Sequence, residues 1–235
     1  MLTNYNMDMR ERVVIETNSL AWMPSPLAGV DRLVLEREEA EKGRATSLVR
    51  YAPDSHFAPH VHAAGEEFIV LQGVFSDDYG DFGPGMYIRN PAGSRHRPSS
   101  KGGCTIFVKL AQMDPEDQEY VRFDTRKAIW QPGLVDGLSI MPLHYYGGER
   151  TALVRWAPAT RFIAHEHPGG EEIFVLDGAF EDEHGYYPKD TWIRNPPGSS
   201  HRPFSAEGCT MFVKTGHLLG DGKPEESVFL AAAAG

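Results

Sequence analysis

Pro59-His60-Val61-His62-Ala63-Ala64-Gly65-Glu66-Glu67 is written a second time as Ala164-His165-Glu166-His167-Pro168-Gly169-Gly170-Glu171-Glu172. Two histidines at i and i+2 on an extended segment point to one face, and a short glycine-containing turn can bring a carboxylate round to the same point. A further histidine follows thirty residues after each glutamate, His96 after Glu66 and His201 after Glu171, both inside Pro-x-Gly-Ser-x-His-Arg-Pro. One His-x-His by itself is more often surface or satisfied core than ligand. Here eight candidates recur with Gly and Pro at fixed offsets, so the reading is two metal sites: His60, His62, Glu66 and His96 in one, and His165, His167, Glu171 and His201 in the other. Three imidazoles and a carboxylate suit Fe(II), Mn(II), Zn(II), Ni(II) or Cu(II), and affinity order does not choose among them.

The duplication sets the domain count. Residues 46–109 overlay 151–214 without a gap, at a constant offset of 105 and with roughly half the positions identical. That period is far longer than those of solenoids or propellers, so each copy is expected to own a core. Upstream, Trp22-x-Pro24 with Gly29 answers Trp130-x-Pro132 with Gly137, which assigns the first forty-odd residues to the first copy. The expected domains are 1–118 and 119–219, followed by a flexible tail, 220–235, with no assigned function. Within each copy, short segments rich in Phe, Ile, Val and Tyr (46–51, 67–71, 73–76, 86–89 and 104–110 in the first) alternate with Gly and Pro breakers. This is the punctuation of an antiparallel sandwich or barrel. Residues 35–42, carrying Glu and Ala, read as a helical surface connection.

Composition narrows the function classes. At 41% hydrophobic and 24% charged the chain is an ordinary globular composition, and no apolar run approaches the roughly 20 residues of a membrane helix. A net charge of −10 without a Lys/Arg cluster argues against a nucleic-acid surface. Residues 1–12 hold no apolar signal segment, and together with the absence of a cysteine framework this points to a cytoplasmic protein. Cys104 and Cys209 occupy matching positions in Gly-Cys-Thr-x-Phe-Val-Lys and read as small buried hydrophobes, not a disulfide. His56, His144, His184 and His217 do not recur and read as surface or loop residues. No Ser-His-Asp order, phosphate-binding glycine loop or Cys-x-x-Cys pair supports those chemistries.

With these motifs in hand, the chain resembles a bicupin of the ChrR-like cupin family. HxHxxxE followed by six residues and Gly is matched by His60, His62, Glu66 and Gly73, and by His165, His167, Glu171 and Gly178. The second motif, Gly with five residues then PxGxxH, is matched by Gly85, Pro91, Gly93 and His96. In the second copy Pro196, Gly198 and His201 match, but Asp190 replaces the glycine, and Asp tolerates turn conformations. Ser100 and Ser205 stand where some cupins have an Asn four residues after the last histidine. The resemblance implies an all-β fold of two tandem double-stranded β-helix (jelly-roll) barrels, each holding one divalent ion, with zinc or iron ahead of manganese and nickel. It also implies either a dioxygenase-like enzyme on small diketones or hydroxyketones, or a zinc-binding regulator of a sigma factor. The helical N-terminal domain with which the ChrR anti-sigma factor holds its partner has no counterpart in the upstream residues, which the first barrel already uses.

The expected partner is therefore a small-molecule ligand or substrate, ahead of a protein partner; neither nucleic acid nor membrane is expected, and a homodimer is compatible with the arrangement. Glu66 and Glu171 are the ligands, while alternation puts Glu67 and Glu172 on the opposite face in salt bridges or an outer shell. Arg89, Arg194, Arg97 and Arg202 either orient an anionic ligand or pair with acids. Tyr87 and Trp192, or Phe57 and Phe162, either line a pocket or fill a barrel interior.

Overall fold

The computed structural model describes residues 3–218, and among these every regular element is a β-strand except a short 3-10 turn at Thr17–Ser19. The chain divides into two compact units, each with its own buried apolar cluster. The tail expected at 220–235 lies outside the described residues.

In the first unit a seven-stranded sheet runs in the order Val121–Asp124, Met86–Asn90, Glu66–Gly73, Cys104–Leu110, Ala45–Tyr51, Val30–Arg37, Met23–Pro24. Ser55–His56, Ser99–Ser100, Phe75–Asp77 and Gly80–Phe82 form a smaller sheet. Period-2 alternation sends Phe68 and Val70 into the apolar cluster with Val30, Val49, Phe75 and Ile106. Side chains of this size contribute about 1.5–3 kcal/mol each on burial. In a separate two-stranded ladder, His60–His62 pairs antiparallel with Ser94–His96, so that His96 faces His60 and Ser94 faces His62.

The second unit repeats the plan. Glu171–Asp182, Cys209–Thr215, Glu149–Trp156 and Leu138–Tyr146 lie side by side in its main sheet, and His165–His167 pairs with Ser199–His201. Its cluster includes Trp156, Phe162, Phe180, Met211 and Cys209, as the first includes Cys104. Both cysteines are free and buried, as the sequence suggested.

Two expectations are corrected. Residues 35–42 do not form a helix: Val30–Arg37 is a strand paired along Ala45–Tyr51, followed by bends at 38–43. Helix-favouring Glu and Ala lose there to the pairing and burial of Val30, Leu33, Val34 and Leu35. The boundary near 118/119, with all upstream residues in the first domain, does not match the folded units. Val121–Asp124 pairs with Met86–Asn90 in the first unit, whereas Val13–Glu16 pairs with Thr191–Asn195 in the second, to which Asp8–Ser19 belongs. In each case the strand covers backbone N–H and C=O groups that an open sheet edge would leave unpaired. Asp190 holds φ at 67°, the turn conformation expected of it in place of glycine, and its carbonyl accepts from the Thr17 amide and hydroxyl just past that added strand.

Gly73 and Gly178 lie where the sheet strand turns away after the glutamate. Each has φ of 70°, and a Cβ there would come within 2.0 Å of the carbonyl oxygen of Gly103 or Gly208. Gly73→Ala is expected to destabilise the first unit by at least about 2 kcal/mol, the range of strained-backbone substitutions. Urea unfolding checks this; a midpoint equal to wild type would refute the close approach.

Candidate metal centres

Each centre is assembled by three strands. In the first, the His60–His62 strand presents both imidazoles to one side, the paired strand brings His96 opposite, and the start of Glu66–Gly73 adds Glu66. Ligand atoms of the three histidines lie within 4.8 Å of one another, and the same holds for His165, His167 and His201. His62 Nε2 and His96 Nε2 are 2.9 Å apart, with Glu66 Oε2 at 3.5 and 3.6 Å from them. The second centre gives 3.1 Å for His167 and His201, and 3.4 and 3.6 Å to Glu171 Oε2.

The outer nitrogens are committed elsewhere, which fixes the tautomers. His96 Nδ1 donates to Asp77 Oδ2 at 3.1 Å and His60 Nδ1 to the Ala58 carbonyl at 3.2 Å. In the second centre His201 Nδ1 donates to Asp182 Oδ2 and His165 Nδ1 to the Ile163 carbonyl. Each Nε2 of these four therefore directs a lone pair inward. The carboxylates are oriented in turn, since Asn90 Nδ2 donates to Glu66 Oε2 and Asn195 Nδ2 to Glu171 Oε2, both at 2.9 Å. Buried carboxylate-to-histidine pairs of this kind orient metal ligands and raise their basicity.

The donor set fits a divalent transition metal. With metal–nitrogen bonds of about 2.0–2.1 Å, two ligands at a right angle are about 2.9 Å apart, and every pair in a regular tetrahedron is about 3.4 Å apart. The closest observed donor separations, 2.9–3.6 Å, lie close to these values.

Electrostatics follow burial and these partners. Burial pushes the His62 and His167 pKa values down, against the pull of Glu66 and Glu171. Burial and then the charge of His167 take His165 down to about 4. For His96 burial also opposes protonation, but the Asp77 hydrogen bond and Glu66 outweigh it and raise the pKa; for His201 Glu171 and Asp182 do the same. Glu171 is lowered despite burial, by the three histidines and Asn195.

The two centres differ in access. His165, His167 and His201 are all buried, and the Phe162 ring stands edge-on to His165 at 5.2 Å. In the first unit His60 is exposed and His62 half-buried, and His60, His62 and Glu66 border an interior cavity of about 110 Å³ together with Phe57, Val49 and Ile106.

All eight sequence-predicted residues come together in their two groups, and Phe57 and Phe162 flank them. Tyr87 and Trp192 do not: both are fully buried on the other face, donating to Glu67 Oε1 at 2.5 Å and Glu172 Oε1 at 2.7 Å. Arg89 makes a buried ion pair with Asp117 at 2.7 Å, Arg194 donates to the Asp8 carbonyl, and Arg97 and Arg202 are exposed. Ser100 and Ser205 donate to the carbonyls of Val74 and Ala179. His56 and His184 are exposed as expected, but His144 is a buried strand residue and His217 Nε2 bonds Glu172 Oε2 at 2.8 Å. Sequence reasoning missed Asp77, Asp182, Asn90 and Asn195, although each pair is 105 residues apart, like the ligands themselves.

The sequence matches the family described as the ChrR cupin-like domain over residues 10–114 and again over 118–219. Similar solved structures include a candidate dioxygenase from Nostoc punctiforme, 19% identical, with a TM-score of 0.75 over 93% of this chain and 87% of that one. Protein Ylba from Escherichia coli is 14% identical, with a TM-score of 0.67 over 91% and 94%. A pirin from Escherichia coli in complex with nickel(II) is 12% identical, with a TM-score of 0.61 over 87% and 98%. A comparison with curated protein sequences gives no match.

Removing one orienting acid tests the support of the ligands. Asp77→Asn is expected to weaken metal binding at the first centre about 10–100-fold while leaving secondary structure intact, read by competition with a chromophoric chelator. Unchanged affinity would remove Asp77 from the metal's support.

Proposed function

The chain belongs to the ChrR cupin-like family, and from that premise we propose that it is a metal-dependent enzyme of dioxygenase type acting on small molecules, with its reacting centre in the first unit. The observation that carries this reading is that His60, His62 and Glu66 open onto an interior cavity, whereas the second histidine cluster is buried throughout. Iron, zinc, manganese and nickel all suit the ligands. The likeness to a candidate dioxygenase supports the reaction class.

A bound divalent ion supplies Lewis-acid polarisation of a substrate carbonyl and, as iron(II), electron transfer with dioxygen. The chain's own residues do the remaining work. Asp77 and the Ala58 carbonyl hold protons on the outer nitrogens of His96 and His60, keeping the inner lone pairs available. Asn90 fixes one carboxylate oxygen of Glu66. Phe57, Val49 and Ile106 give the cavity an apolar wall beside the ligands. In the second unit the same ligand set, enclosed, holds an ion whose role is structural.

Elemental analysis of protein purified anaerobically without added metal tests this first, and about two metal ions per chain are expected. With iron present, oxygen uptake with small diketones or hydroxyketones is expected to fall at least about 100-fold in His60→Ala. His165→Ala is expected to lose one ion per chain and some thermal stability while retaining turnover. Metal-replete, iron-containing protein with no oxygen uptake on any such ketone would refute the dioxygenase assignment; equal activity losses in the two variants would refute the division of roles.

A further inference from the structure

The cavity beside the first centre ends in charge. Pairing runs from Glu66 to Leu110, from Leu110 to Ala45 and from Ala45 to Arg37, so Arg37 lies in the same row of the sheet as the candidate ligand Glu66. Arg37 and Arg32 line the same cavity as His60, His62 and Glu66. Arg37 is only 6% exposed, and its side-chain hydrogen bonds go to the backbone carbonyls of Glu39 and Ala40. Among the described residues no carboxylate lies within ion-pair reach of it. A buried cation without a counter-charge is costly. Burial and then the neighbouring Arg32 charge hold the Arg37 pKa below its usual range, against the pull of the more distant Glu41 carboxylate.

Arg32 already carries a carboxylate. Glu41 meets its guanidinium at 3.0 and 3.2 Å, but the Glu41 side chain is 44% exposed, and an ion pair so exposed is weak enough for another carboxylate to replace it. An outer groove of about 480 Å³, lined by Met23, Pro24, Pro26 and Glu41, meets the inner cavity at the same two arginines and offers a way in.

The second unit lacks this arrangement. Opposite Val154, where the first unit has Arg32 opposite Val49, stands Ile140; in the place of Arg37 stands Tyr145. Arg150, at the position of Ala45, lies across the Tyr145 ring at 5.0 Å. Trp156 replaces Tyr51 and fills the interior.

We propose that the first unit binds a small organic carboxylate, its anionic end held by Arg37 and Arg32 and its remaining polar group turned toward His60, His62 and His96. This rests on the metal-enzyme reading above and favours, among its small ketone substrates, those that also bear a carboxylate. The cavity of about 110 Å³ has room for a small organic acid.

The test is calorimetric titration of the full-length, metal-loaded protein with pyruvate, lactate, malonate and succinate, and with butane-2,3-dione, in which a methyl group replaces the charged oxygen of pyruvate. Elemental analysis of the same samples separates the two readings, because a missing ion counts against the metal centre whatever the acids do. At least one acid is expected to bind saturably, one per chain, with the dione about tenfold weaker than pyruvate or worse. Arg37→Met is expected to weaken the acid about tenfold or more without changing metal content or dione binding. Arg37→Lys should recover part of the loss, and Arg150→Met should change nothing. Should Arg37→Met fail to fold, Arg32→Met carries the same expectation. Absence of saturable binding by every acid, equal affinity for pyruvate and the dione, or undiminished acid binding in a folded, metal-loaded arginine variant would each overturn the proposal.

Discussion

Three imidazole nitrogens and a carboxylate oxygen aimed at one point inside an apolar barrel form an arrangement a protein core ordinarily avoids, because buried polar groups must be satisfied and buried charges paired. Much of the surrounding structure is intelligible as the means of holding it. The antiparallel pairing of His60–His62 with Ser94–His96 sets two imidazoles against a third, and a one-residue slip of either strand would turn its histidines away from those of the other. Asp77 and Asn90 come from neighbouring strands to orient a histidine and the glutamate, and Asp182 and Asn195 do so again. Glycines at 73 and 178 let the sheet strand turn sharply where its neighbour's backbone approaches too closely for any side chain.

Much of this was legible before folding because it was written twice. Recurrence of His, Glu, Gly and Pro at one offset turned weak motifs into a strong one, and alternation along Glu66–Gly73 separated the ligand Glu66 from Glu67, which the structure places against Tyr87. The same alternation takes Tyr87 and Trp192 away from the cavity, since each shares a strand face with the arginine that stands opposite the outward glutamate, two residues on. Asp77 and Asn90 went unread for a different reason. Their function depends on which imidazole or carboxylate lies near them across strands, and that is set by tertiary pairing.

What the repeat could not reveal is whatever the two copies do differently. The strand Val13–Glu16 precedes the first copy in sequence yet completes the sheet of the second unit, and Val121–Asp124 completes that of the first. A β-edge accepts any strand that reaches it with compatible register, so chain order is a poor guide to edge membership. The helical reading of 35–42 failed likewise, because local propensity for Glu and Ala is worth tenths of a kcal/mol per residue against the burial of several aliphatic side chains in Val30–Arg37.

Divergence is concentrated on the walls and much less in the ligands. Both units keep the four donors, the acid on the last histidine and the amide on the glutamate, whereas Arg32, Arg37 and Tyr51 give way to Ile140, Tyr145 and Trp156. A metal site retained for packing alone would tolerate, and packing energy would favour, an apolar filling like that of the second unit. A buried cation such as Arg37 facing a cavity has the opposite character: it costs stability, which an anion within ion-pair reach would offset. The two units thus share their ligand sets and differ in their walls, and the proposal of a ligand for the first unit rests on that difference.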